Sequence, residues 1–167
     1  MTNPIVDRPI MPEGYGVESA TEVVAWETVV VKLTESKNYW LATTRPDGRP
    51  HVVPRWGVWV DDMFWYDGSP DTLHVRNLSG DDRCSLHLES GSDVVIVEGR
   101  SIQARPIKGE LGVRLAAEYA RKYAPEYTPA AEQWSDEIAG GMRCLAPNKA
   151  IAWSEFPKDL TRFTFPS

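Results

Sequence analysis

A chain of 167 residues with 42% hydrophobic content and seven tryptophans has the material for one folded domain of ordinary size, and it contains no apolar run long enough to cross a bilayer as a helix. A formal net charge of -6 works against a general nucleic-acid surface, although a local basic pocket is compatible with it. The two cysteines, Cys84 and Cys144, make neither a disulfide framework nor a CxxC pair and read as small buried hydrophobes.

Residues 1–18, broken by Pro4, Pro9 and Pro12, read as an extended arm whose Ile5, Ile10 and Met11 lie along the body or a partner. The remainder, 19–167, reads as a single domain. The polar start lacks the basic end and apolar core of a secretory signal, so a cytoplasmic location is expected. Ser19-Ala-Thr-Glu22 has the form of a capping box and predicts a helix from Ser19 to about Ser36. Val23, Trp26, Val30 and Leu33 supply its apolar stripe, while the β-branched run Val29-Val30-Val31 keeps a strand open as the competing reading.

Tyr39 to Glu89 is the organising stretch. YWLATTR and HVVPRWGVWV flank Asp47-Gly48, a hairpin signal, and Asp61-Asp62 marks a second turn. On a period of two, Val52, Pro54, Trp56, Val58 and Val60 share the expected core face, and His51, Val53, Arg55, Gly57 and Trp59 share the other. A face carrying Arg55 and Trp59 calls for a cover, whether a helix, a ligand or another subunit. In Asp67-Gly68-Ser69-Pro70, Ser69 can cap a helix whose first residue is Pro70, running to about Leu78. Its end N–H groups, with Ser69, Thr72, His74 and Arg76, are candidate anion contacts. Asp71 opposes them by charge.

RCSLHLES reads as a strand with Cys84, Leu86 and Leu88 on one face, and VVIVEGRSIQA as a longer strand with a bulge or close approach at Gly99. Lys108 to Tyr123 is the clearest helix. Leu111, Leu115, Tyr119 and Tyr123 form its stripe, with Glu110–Arg114 and Glu118–Lys122 as outward i,i+4 pairs. Glu132 to Ile138 reads as a short helix closed by Gly140-Gly141, MRCLAP and KAIAWSE as two strands or one bent at Pro147-Asn148, and TRFTFP as a last strand. There Phe163 and Phe165 share a face, and Arg162 is either an anion contact or a salt-bridged edge residue. Five or more antiparallel strands with flanking helices favour closure into a barrel over exposed edges.

The chain has no P-loop, HExxH, serine elbow or GxGxxG, and its histidines at 51, 74 and 87 have no metal-ligand spacing. No side-chain acid–base centre stands out, so the chain reads as a scaffold for a group that brings its own chemistry.

YWLATTRPDGRPHVVP, WGVWVDDMFWY, SPDTLHVRNL, RCSLHLES, DVVIVEGRSIQA, EYARKYAP, AIAWSE and TRFTF, in that order, resemble the pyridoxamine 5'-phosphate oxidase-like split β-barrel proteins, particularly the flavin/deazaflavin oxidoreductases of actinobacteria. The resemblance spans most of residues 22–165. It implies an antiparallel split barrel acting as a homodimer, with FMN or coenzyme F420 between subunits and hydride exchange with a small organic substrate. His51, Val53 and Arg55 would border the cofactor ring, Ser69, Thr72, His74 and Arg76 its phosphate, and Trp153 and Arg162 would be added from the final strands, from either subunit. Such proteins commonly carry lysine where this chain has His74, which implies a weaker and more pH-dependent phosphate contact here. An FMN-dependent oxidase or reductase, and a non-catalytic binder of flavin, F420 or haem, are the alternatives. No metal, nucleic-acid or membrane partner is expected.

Overall fold

A computed structural model describes residues 3–15 and 22–166. Its strands are β1 (Ile5–Asp7), β2 (Tyr39–Thr44), β3 (Pro50–Arg55), β4 (Val58–Val60), β5 (Met63–Tyr66), β6 (Arg83–His87), β7 (Val94–Gln103), β8 (Arg143–Trp153) and β9 (Thr161–Thr164). Its helices are α1 (Trp26–Glu35), α2 (Leu73–Gly80) and α3 (Glu110–Tyr123). All strand pairings are antiparallel, in the order β1-β9-β8-β7-β6-β2-β3, with β5 branching from β8 and carrying β4. The protein is thus an antiparallel sheet with flanking helices. Among the described residues, no helix is long and apolar enough to cross a membrane.

The turn chemistry has the outcomes expected of it. Arg45 N–H reaches the Arg49 carbonyl at 2.9 Å, Gly48 N–H reaches the Arg45 carbonyl at 2.8 Å, and Gly48 has φ +84°. Those are the features of a three-residue hairpin loop ending in a left-handed residue. Asp61 and Asp62 both take positive φ, 54° and 57°, between paired Val60 and Met63, as a two-residue type I′ turn requires. At Gly99 the β7–β8 register slips, and an added Cβ would lie 2.1 Å from the Ala146 carbonyl oxygen. Gly99→Ala should therefore cost about 2 kcal/mol of stability, read from the urea midpoint; an unchanged midpoint would show that the bulge yields freely.

Two apolar cores lie on either side of the branch. One gathers Trp26, Leu33, Tyr39, Leu41, Phe64, Leu86, Val97 and Phe163 under α1; the other gathers Val58, Trp65, Leu115, Tyr119, Trp134 and Met142 under α3. The stripe expected on α3 is present, with Leu115, Tyr119 and Tyr123 buried and Leu111 packed at the edge.

Several expectations are corrected. Ser19 lies outside the described residues, but α1 begins at Trp26 and residues 22–25 are not helical. Val24 donates its N–H to Thr161 Oγ1 at 2.9 Å, which holds this approach in extended form, and Val23 is exposed. The second helix begins after Thr72, three residues beyond the expected Ser69 cap, because Ser69 and Thr72 are spent in a preceding turn. No regular helix spans 132–138; turns lead to a single 3₁₀ turn at Ala139–Gly141. MRCLAP and KAIAWSE, in contrast, form one strand, β8, in agreement with the second of the two readings open to them. In the arm, β1 pairs with β9, while Ile10 is 97% exposed and does not lie on the body.

The expected faces of β3 are reversed. Val52 and Trp56 are 47% and 45% exposed, and Pro54 is exposed, while Val53 packs at the edge of the core. Residues 51–60 are not one strand: the chain bends at Trp56-Gly57, where Gly57 N–H donates to the Tyr123 hydroxyl at 2.9 Å. Beyond the bend the alternation is reset, and Val58, Trp59 and Val60 are all buried.

Candidate functional site

The end of β3, the 67–72 turn and the start of α2 form the candidate site. Arg55 closes β3, and its guanidinium donates to the Asp67 carbonyl while lying 5.7 Å from the Tyr66 ring centroid. Its Nε is buried without a partner. Gly68 leaves the space this needs, since a Cβ there would fall 2.9 Å from the Arg55 Nη2. Asp67 is held in turn by its carboxylate, which accepts from the Tyr127 hydroxyl at 2.5 Å and from Trp134 Nε1 at 3.0 Å. Burial, then the Asp67 contact, pushes the Tyr127 phenol up, so it stays a neutral donor. Pro54, Arg55, Trp56, Asp67, Tyr119 and Tyr127 line a depression of about 370 Å³.

α2 is seated on β2 by Asn77, whose side-chain amide donates to Thr43 Oγ1 at 3.0 Å. This brings His74 against the β3 face. His74 is 4% exposed, and burial followed by the charges of Arg55, His51 and Arg143 holds its pKa down to about 4. It is therefore neutral near pH 7 and supplies no cation to a phosphate. Its Nε2 lies 3.4 Å from Thr72 Oγ1, and the same hydroxyl donates to the Ser69 carbonyl at 2.9 Å. Arg76, on the exposed side of α2, makes no ion pair with the described residues.

His51, Val53, Arg55, Ser69, Thr72, His74 and Arg76 thus fall on β3, on α2 and on the turn that joins β5 to α2. Trp153 and Arg162 do not join them within the chain. Trp153 pairs with Val94 and sits 5.5 Å from the Phe156 ring. Arg162 is on β9, across the sheet from β3, where both its Nε and Nη2 donate to Asp7, at 2.8 and 2.5 Å. Within the chain it is salt-bridged to Asp7, on a strand flanked by β1 and β8.

Three contributors were missed by sequence reasoning. Asp67 was read only as a turn residue, and Tyr127 and Trp134, about 60 residues further on, carry no local signal linking them to it. The site offers cations and aromatic surface for binding rather than an acid–base centre. Cys84 and Cys144 are both pushed up by burial, Cys84 to about 12, and are poor nucleophiles. Among the described residues no three His, Cys, Asp or Glu side chains are grouped to hold a metal ion.

The chain belongs to the pyridoxamine 5'-phosphate oxidase family, whose model matches residues 25–141. Among solved structures it is similar to a haem-binding protein from Mycobacterium smegmatis, with 17% identity and a TM-score of 0.59 over 78% of this chain and 53% of that one. The chain thus spans about half the length of that protein. A conserved hypothetical protein from Mycobacterium tuberculosis aligns over 89% of this chain and 90% of its own, with 21% identity and a TM-score of 0.56. A protein of Bacteroides thetaiotaomicron named for 5-nitroimidazole antibiotic resistance aligns over 86% and 87%, with 12% identity and a TM-score of 0.59. These likenesses establish the fold. No curated protein matches the chain.

Proposed function

We propose that the chain is a cofactor-dependent oxidoreductase that uses F420, or FMN, to exchange a hydride with a small organic substrate. The observation that carries this reading is the pair of unneutralised arginines at the turn: Arg55, whose Nε is buried and unpaired, and the exposed Arg76. A phosphate-bearing ligand fits that donor set, because guanidinium groups bind phosphate oxygens through charge-assisted hydrogen bonds. The bound cofactor would supply the hydride chemistry at its ring. His51 and Val53 would border that ring, and Arg55, Ser69, Thr72 and Arg76 would hold the phosphate end. His74 would contribute as a neutral hydrogen-bonding group. The exposed Val52 and Trp56 suit a homodimer seam that completes the split barrel and brings Trp153 and Arg162 of the second copy to the cofactor. The same reading places one domain, with its N-terminal arm, in the cytoplasm, acting without nucleic acid or membrane.

The first test is the visible spectrum of the purified protein and separate titrations with FMN, F420 and haem. Absence of FMN and F420 binding at about tens of micromolar would reject the proposal. Haem binding alone would favour a non-catalytic carrier, a reading supported by the half-buried His51 and the neutral His74. If F420 binds, the reduced form should be oxidised by a panel of quinones and enones. Arg76→Ala should weaken cofactor binding by about 1–3 kcal/mol. Unchanged affinity in a folded variant would remove Arg76 from the site.

A further inference from the structure

Arg143, the first residue of β8, is 5% exposed and makes no ion pair with the described residues. Its guanidinium donates to Ser101, from Nε to the hydroxyl at 3.3 Å and from Nη2 to the carbonyl at 2.5 Å, and it also hydrogen-bonds the Tyr66 side chain. These acceptors are all uncharged. Its charge is felt by Tyr66, His74, Cys84 and Cys144, and these are held neutral near pH 7 by burial. The carboxylates in the open trough on its other side, Asp81 and Asp82, are taken by Arg83 at 2.6 Å and Arg100 at 2.5 Å. A guanidinium buried among neutral groups is costly unless an anion compensates it.

Arg143 also lines a separate cavity of about 190 Å³ that opens to the surface, with Pro70, Val75, Gln103, Ile138 and Gly141, of which Pro70, Gln103 and Ile138 are exposed. We infer that this cavity is a binding site for a small organic carboxylate, held by Arg143 through its carboxylate group and by Pro70, Val75 and Ile138 through a short apolar body. The Gln103 side-chain amide, which has no partner among the described residues, is available to a second carboxylate oxygen. The volume is below the roughly 300–1,000 Å³ typical of drug-sized ligand pockets, so a fragment-sized acid fits and a flavin does not. The apolar share of the wall selects an organic acid over inorganic phosphate, which would leave those side chains without a contact. This site is independent of the cofactor reading, since none of its wall residues is among those assigned to the cofactor.

The test uses the full chain and calorimetric titration with benzoate, its neutral analogue benzamide, and inorganic phosphate. Benzoate should bind saturably at about millimolar dissociation constants, with benzamide and phosphate each at least roughly tenfold weaker. Benzoate should shift the amide resonances of Val75 and Gly141. Arg143→Lys should weaken benzoate at least about tenfold by losing the two-pronged geometry. Because Arg143 also braces Ser101, Ile138→Trp provides a second variant. Ile138 is 56% exposed, so a larger side chain there should fill the cavity and abolish benzoate binding while the thermal midpoint is kept. Equal affinity for benzoate and benzamide, tighter binding of phosphate, or benzoate binding unaffected by Ile138→Trp would overturn the assignment, as would the absence of saturable binding.

Discussion

Trp134→Ala should lower the free energy of unfolding by about 3–5 kcal/mol, the range for deleting a fully buried aromatic side chain. Trp134 is completely buried in the core beneath α3, with its ring centroid 5.6 Å from that of Tyr119. Its carbonyl accepts from Ile107 N–H at 2.8 Å, and its indole N–H donates to Asp67 at 3.0 Å. Truncation opens a cavity and also removes one of two donors from the Asp67 carboxylate. Trp134→Phe separates the two effects: it keeps most of the volume and should cost only about 1–3 kcal/mol for the lost hydrogen bond. Urea denaturation of both variants measures the difference. Asp67 also carries the carbonyl that holds Arg55, so Trp134→Phe should weaken cofactor binding if Arg55 contacts the phosphate. A loss below about 1 kcal/mol for Trp134→Ala would show that the 124–142 segment is peripheral to the folding unit.

The second large effect is a rise in stability with pH that depends on Lys122. Lys122 is 5% exposed, and its ammonium donates to the Tyr39 hydroxyl at 2.5 Å and to the Gly57 carbonyl at 2.9 Å. It also lies 4.6 and 5.4 Å from the Tyr39 and Tyr123 ring centroids. Burial, then the charge of Arg121, lowers its pKa from 10.5 to about 7. Between pH 7 and 10.5 the unfolded chain therefore keeps a proton that the folded chain has released, so stability rises with pH through that window. The cost of the buried cation is felt in full below pH 7. At 1.36 kcal/mol per pH unit the gain is at most roughly 4–5 kcal/mol. The two hydrogen bonds and two tyrosine rings favour the cation and bring the gain below that ceiling.

Above pH 10 the trend reverses, because tyrosines such as Tyr123, raised to about 12, lose their protons more readily in the unfolded chain. Urea midpoints at about pH 7 and pH 9.5 measure the effect. Lys122→Met should flatten the slope without large loss of stability, since an apolar side chain of similar volume replaces a buried charge. An equal slope in wild type and variant would assign the effect to other groups.

Lys122 also illustrates which properties were legible. Its spacing from Glu118 suits a solvent-facing ion pair, yet Glu118 is taken by Arg121 at 3.0 Å and Lys122 turns inward. Nothing in α3 alone distinguishes the two, because the acceptors that draw Lys122 inward come from β2 and the bend after β3. The reversal of β3 has a similar origin. Period-two reasoning orders the residues correctly within His51 to Arg55, but the bend at Trp56-Gly57 is held by Tyr123, 66 residues away. The cap at Thr72 and the late start of α1 were displaced by hydrogen bonds that compete with local capping, one set within the 69–72 turn and one from Thr161.

By itself the sequence determined the antiparallel strand content, the turns at Asp47-Gly48 and Asp61-Asp62, the bulge at Gly99, the buried stripe of α3 and the family. These rest on backbone conformation and on apolar periodicity, which act over a few residues and are written locally. Only the tertiary structure decided which face of β3 is buried, that His74 is neutral, that Asp67 joins Arg55 to Tyr127 and Trp134, and that Arg143 and Lys122 are buried. Burial and charge compensation depend on groups brought together from distant parts of the chain, and the energetics of a buried charge are set by those neighbours rather than by the residue that carries it.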